Sequence, residues 1–210
     1  MSTIQTHSGR LIDLKNMVST DVNIQDIVHG LSAIRRFNGR GLTVLQHTLS
    51  MFDFVRAMYR GKDREELLCA VLVHDLAEAY IGDIIQPVKA AVPPIARLEE
   101  AVQYTILRKL CGCDEDGRHD IDPHLLPDSD IAAHVKYIDR IALAAEYKLL
   151  FGDYTKTDDV WDINKLSQQD VLRMGDIIAT TDESKDGGKA NRERLELLLL
   201  RLYAGLPLEG

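Results

Sequence analysis

The chain has 210 residues, 45% of them hydrophobic and 28% charged, with a formal net charge of −8. That size and balance suit one globular domain with a core of its own. The acidic surplus argues against a binder of nucleic-acid polymers, and no apolar run approaches the roughly 18 residues that a membrane span needs. The opening MSTIQTHSGRLIDLKN has neither the basic start nor the apolar stretch of a signal peptide. The three cysteines are sparse and odd in number, which fits reduced thiols and a cytoplasmic location. Cys111 and Cys113 are separated by one residue with no second pair behind them, so they read as a loop detail and not a zinc site.

In chain order the signals are helical, and no convincing strand pattern is found. Residues 23–34 place Ile24, Ile27, Val28, Leu31 and Ile34 on one face. The segment RRFNGRG, 35–41, breaks the pattern. Thr43 and Gln46 have the spacing of a capping box, and a helix is expected from there to about Tyr59. Gly61 ends it. Asp63 is expected to cap a helix that runs to about Tyr80, stopped by Gly82 and Pro87. Pro94 is placed to open a helix through Leu110. Residues 111–128 are acidic, aperiodic and read as a loop. Helices follow at 129–150, about 168–180 and about 190–204. The expected architecture is all-α, a single domain over 1–210 with about seven helices. Its core lies at about 20–150 and its C-terminal helices at 160–205.

The chemistry concentrates in AVLVHDLAEAYIGDIIQPVK, residues 70–89. On a continuous helix His74 and Glu78 share a line with Leu67 and Val71, and Asp75 shares one with Leu68 and Leu72. Polar groups pointing into a core are costly unless they are paired or bound to a cation. His74 and Asp75 are therefore either metal ligands or a hydrogen-bonded core pair. His47, near the start of its helix, and Asp139, beside the apolar Ile138, would complete a mixed nitrogen–oxygen set suited to a divalent ion. Taken alone, His47 reads as structural and Asp139 as an ion-pair partner. A second His-Asp pair, His119-Asp120, lies in the acidic loop and reads as solvated. Arg35, Arg36 and Arg40 crowd a glycine-bearing segment, and guanidinium forks suit phosphate oxygens. Leu195, Leu198, Leu199 and Leu202 form a stripe that reads as core packing, with a homo-oligomer face as the alternative.

In order and spacing, His47, His74-Asp75 and Asp139 resemble the H…HD…D signature of the HD-domain metal-dependent phosphohydrolases. His74-Asp75, Glu78, Gly82-Asp83, Pro87 and Lys89, with Arg36-Phe37 upstream, are similar to the branch of 5′-deoxynucleotidases and bacteriophage deoxyadenosine triphosphohydrolases. The likeness spans about residues 5–150. It implies an all-helical fold and one divalent ion (Co, Mn, Zn or Mg) on His47, His74, Asp75 and Asp139. It implies a proton-relaying role for Glu78, and Asp83 beside the phosphate or the attacking water. Arg36 would hold phosphate, with Arg35 and Lys89 as further cationic candidates. Phe37 would press on the sugar against a ribose 2′-hydroxyl. The Arg-aromatic pair sits closer to the first histidine than in the bacterial 5′-deoxynucleotidases. The expected activity is hydrolysis of phosphate from small 2′-deoxynucleotides, leaning to deoxyadenine. The alternatives are hydrolysis of an alarmone or cyclic nucleotide, or a non-catalytic nucleotide sensor.

Overall fold

Ten helical segments dominate the computed structural model, which describes residues 3–111, 130–152, 165–183 and 186–209. They are α1 (Ile24–Ala33), α2 (Arg36–Gly39), α3 (Val44–Met58), α4 (Arg64–Val73), α5 (Glu78–Ile81), α6 (Gln86–Ala91), α7 (Pro93–Leu110), α8 (Asp130–Phe151), α9 (Gln168–Thr180) and α10 (Lys189–Tyr203). The seven that run ten residues or longer match the expected periodic segments. Two short 3₁₀ turns, Leu14–Asn16 and Ser19–Asp21, precede α1. Cys113, His119-Asp120 and most of the acidic loop lie outside the described residues.

Among the described residues the fold is all-α apart from one hairpin, where no strand pattern was expected. Strands β1 (Thr3–Gln5) and β2 (Leu11–Asp13) pair antiparallel, with Thr3 opposite Asp13. Three residues per strand are too few to show an alternation. The hairpin is held by a contact distant in sequence: the backbone N–H and hydroxyl of Ser8 donate to the buried carboxylate of Asp26 on α1 at 2.6 and 2.8 Å.

Helix α3 is the centre of the molecule. Every residue from Val44 to Phe52 is buried, as are Phe54 and Val55, so this helix is covered almost all round, polar Gln46, His47, Thr48 and Ser50 included. Among the described residues its neighbours are α1, α4, α8, α9 and α10. Its start is fixed by the expected capping box: Thr43 Oγ1 accepts from Gln46 N–H, and Gln46 Oε1 accepts from Thr43 N–H. Such a cap contributes about 1 kcal/mol and sets the depth at which His47, one turn later, enters the core.

Two expectations about residues 63–80 are corrected. Asp63 precedes α4 but its side chain accepts no capping hydrogen bond; Glu65 and Glu66 supply the favourable negative charge in the first turn. The helix also does not continue to Tyr80. It ends at Val73, and residues 74–77 form a tight turn before α5. Through the break the backbone shifts to three-residue bonds, Leu76 N–H to Val73 O, Glu78 N–H to Asp75 O and Ala79 N–H to Leu76 O. Gln103 of α7 inserts here: its Nε2 donates to Val73 O at 2.5 Å and its Oε1 accepts from Ala77 N–H at 2.9 Å. A side chain entering the ladder is a recognised cause of a helix break.

Helix α1 backs directly on the far side of that turn. A Cβ added at Gly30 would lie 2.5 Å from the Ala79 carbonyl oxygen and 2.8 Å from its Cα. Gly30→Ala is therefore expected to push the Glu78–Ala79 segment outward and to cost about 1–3 kcal/mol, read as a lowered urea midpoint. An unchanged midpoint would mean that α1 yields without strain.

Candidate metal centre

His47 on α3 and His74 in the turn after α4 reach one point. Their ring centroids are 5.5 Å apart, and ligand atoms of His47, His74 and Asp75 all lie within 4.8 Å of one another. His74 Nε2 stands 2.9 Å from Asp75 Oδ2, and His47 Nε2 stands 3.9 Å from the same oxygen. Asp139, on α8, joins through His47, its Oδ1 being 3.2 Å from Nε2. The structure thus brings together all four residues singled out as candidate ligands.

Each imidazole has its other nitrogen committed. His47 Nδ1 bonds Glu146 Oε1 at 2.7 Å, and His74 Nδ1 bonds the Val71 carbonyl at 2.8 Å. A carbonyl or carboxylate only accepts, so both Nδ1 atoms carry the proton. Once the second proton is off, each ring presents an Nε2 lone pair to the same space. His47 Nε2, His74 Nε2 and Asp139 Oδ1 are buried and make no hydrogen bond there; the nearby carboxylate oxygens come close without hydrogen-bond alignment. With the rings deprotonated, two lone pairs and two carboxylates converge there, an arrangement that favours a cation between them. The donor set fits a divalent ion of the nitrogen–oxygen class.

The electrostatics agree. Burial alone would raise Asp75, but His74, His47 and Arg36 outweigh it and hold its carboxyl well below the usual range. Burial would likewise raise Asp139, and His47 with Arg36 brings it down. Burial and Arg36 push His47 down, yet Glu146 and Asp139 prevail and carry it up to about 9. Glu78 is 4% exposed with an unpartnered Oε2; burial, then Asp75 and Asp83, raise it to about 9. Asp83 is raised by burial and Asp75 against the pull of Arg36 and Lys89. Its direction is set by Gly82, whose φ of 85° and N–H to Glu78 O bond turn the chain out of α5.

A metal on His47 Nε2 must displace the proton that the carboxylates hold there. Metal affinity is therefore expected to rise with pH from 6.5 to about 9, by up to about tenfold per pH unit. In the metal-free protein the sign is opposite. The raised His47 contributes stability that is complete below 6.5 and is lost as pH rises through about 9. Metal titration and thermal melts across that window read both trends, and a pH-independent affinity would remove Nε2 from the ligand set.

Arg36 lies within this group and not on the surface. Its Nε donates to Glu146 Oε2 at 3.2 Å, while Nη1 and Nη2 stand 3.8 Å from Asp75 Oδ2 and Asp139 Oδ1, too long for hydrogen bonds. Phe37 and Asn38 beside it adopt φ of 52° and 53°. That left-handed pair costs on the order of 1–3 kcal/mol per residue, and such strain gathers at functional sites. The Phe37 ring packs against Tyr147 and Phe151, with centroids 6.4 and 6.1 Å away. Arg35 is not brought to the centre; its guanidinium donates to Gly41 O and closes the 35–41 loop. Lys89 is paired with Glu99 at 2.6 Å in a cleft of about 480 Å³ that opens on His74 and is also lined by Gln86, Pro93 and Gln103. That volume lies in the range of small-ligand pockets.

Glu146 was not anticipated. It is 1% exposed and bonds both His47 and Arg36. The available signal was a charged residue seven positions after Asp139, two turns along the same face, next to the apolar Ala142 and Ala145.

Residues 35–122 match the family model described as HD domain, a segment that holds His47, His74 and Asp75. The chain is 31% identical over 149 residues to the uncharacterized protein YfdR of Escherichia coli strain K12, covering 70% of this chain and 71% of that one. It is 40% identical over 91 residues to the uncharacterized protein RCAP_rcc00048 of Rhodobacter capsulatus, a match that takes in 40% of this chain and 45% of that relative's length. With the paired histidines and the His74-Asp75 doublet at one centre, and the match to YfdR running across most of both chains, the chain belongs to the HD-domain family.

Proposed function

We propose that this protein is a divalent-metal-dependent phosphohydrolase that removes phosphate from small 2′-deoxynucleotides, with deoxyadenine nucleotides preferred. An HD domain indicates a metal-dependent hydrolase. The observation that carries the reading is the buried space into which His47 Nε2, His74 Nε2 and Asp139 Oδ1 point without hydrogen bonds, next to Asp75 and the Arg36 guanidinium. His47, His74, Asp75 and Asp139 would hold the ion, and Co, Mn, Zn and Mg all suit that donor set. A divalent ion bound there supplies neutralisation of phosphoryl charge and acidification of water.

The chain's own groups have distinct tasks in this reading. Arg36 presents Nη1 and Nη2 to phosphoryl oxygens, held by its Nε bond to Glu146. Glu78 takes the proton of the attacking water at its unpartnered Oε2. As the water oxygen bonds to phosphorus, the bond to the leaving oxygen breaks and that oxygen takes up a proton from solvent. In the metal-free protein Glu78 holds its proton up to about 9; an ion on Asp75 would offset the charge that raises it and favour the ionised form a general base needs. Asp83 orients the water or the phosphate. Lys89, once exchanged from Glu99, adds positive charge, and Phe37 lies against the sugar. Residues of about 20–150 carry this site, with the C-terminal helices packed on them as one unit.

The test is phosphate release from a panel of deoxynucleotides, ribonucleotides, an alarmone and cyclic nucleotides, each with Co, Mn, Zn or Mg. Release from deoxynucleotides, fastest with deoxyadenine, is expected. No release from any deoxynucleotide by protein with metal demonstrably bound overturns the reading, and release only from the alarmone or the cyclic nucleotides replaces the substrate.

A further inference from the structure

We propose that Glu146 is a positioning residue that couples metal binding at His47 to phosphate binding at Arg36, so that each ligand tightens the other. This rests on the reading of the centre as a metal and phosphate site, and deepens it. Glu146 uses one oxygen for each partner: Oε1 accepts from His47 Nδ1 at 2.7 Å and Oε2 accepts from Arg36 Nε at 3.2 Å. The carboxylate is 1% exposed, so its packing leaves it little freedom to reorient. A shift that improves one bond moves the other.

The charges give the coupling its direction. A dication held by His47, His74 and Asp75 would have as neighbour a guanidinium that stands 3.8 Å from both Asp75 and Asp139. The two cations repel and compete for the same carboxylates. Glu146 holds Arg36 by its Nε and supplies a buried negative charge between the guanidinium and the His47 ring, which lets both cations occupy the site. With its Nε held by Glu146 the Nη edge of Arg36 stays beside the ion's place, and only there does an anion bound on that edge offset the guanidinium's charge, so phosphate favours metal. By linkage metal favours phosphate by the same factor. The fixed His47 Nδ1–H keeps the Nε2 lone pair aimed at the centre throughout.

Two substitutions separate this role from simple structural support. Glu146→Gln keeps the shape and offers one carbonyl oxygen, which can accept from His47 or from Arg36 but not from both, and it removes the charge. Glu146→Asp keeps the charge and shortens the reach, so it serves one partner at a time. The measurement is calorimetric titration with Mn alone and then with Mn in inorganic phosphate, with no turnover involved. In the parent, phosphate is expected to tighten Mn by about tenfold. In both variants that factor is expected to fall toward one, while Glu146→Asp binds Mn alone within a few-fold of the parent. Coupling that persists at the parent's value in either folded variant overturns the proposal, because phosphate would then act by touching the metal directly. A parent that binds Mn without coupling to phosphate overturns it too, as does failure of both variants to fold, which would make the carboxylate structural. A parent that binds no divalent ion at all fails at the metal reading itself.

Discussion

Asp75→Asn is expected to abolish metal binding and to lower the rate of phosphate release by about 10³-fold, since a metal contributes several kcal/mol of transition-state stabilisation. Asp75 faces both imidazoles, at 2.9 and 3.9 Å, and Arg36 at 3.8 Å, so it is the negative charge that balances most of the centre. Removing it leaves two histidines with no carboxylate between them. A folding readout comes with the loss of activity. An ion present at about 100 times its Kd stabilises the folded chain by about 2.7 kcal/mol. For a protein of this size that raises Tm by about 5–10 °C. The parent should show that shift on adding metal and lose it with a chelator, and Asp75→Asn should show neither. A metal-induced shift of parental size in the variant would remove Asp75 from the ligand set, whatever happened to its activity.

Glu78→Ala is expected to behave in the opposite way on binding and in the same way on turnover. Losing a general base costs about 10²–10⁴-fold in kcat, whereas the metal-induced Tm shift should survive, because Glu78 is not among the four residues that would hold the ion. Its effect on the metal-free protein identifies the residue further. Glu78 is raised from 4.5 to about 9 by burial and by Asp75 and Asp83. The folded state therefore holds a proton that the unfolded state releases. The parent loses stability as pH rises from 4.5 through about 9, and the alanine variant should lose less. Chemical denaturation at the two ends of that window measures the difference. A variant that is inactive yet increasingly more stable than the parent at high pH is what a buried carboxyl retained for chemistry produces. Full activity in Glu78→Ala would take the residue out of the mechanism, and a steeper pH dependence than the parent's would mean that Glu78 is ionised and paired in the folded state.

What the sequence determined by itself was local. Helical spacing and caps located the seven long helices, though not the end of α4, because such signals are written within a few turns of chain. The Thr43–Gln46 box fixed where α3 begins, because both partners lie within four residues. The polar intrusions of His74, Asp75 and Glu78 among leucines marked the centre, because burying such groups needs a reason that composition cannot hide. Tertiary structure alone decided the rest. The break at residues 74–77 depends on Gln103, which reaches back from α7 to Val73 and Ala77, and no propensity at the break predicts a partner some thirty residues away. The burial of Arg36 and the role of Glu146 depend on contacts between residues 110 and 99 positions apart in sequence. Such pairings follow from how helices pack around α3, and packing is a property of surfaces brought together by folding that no single stretch of chain encodes.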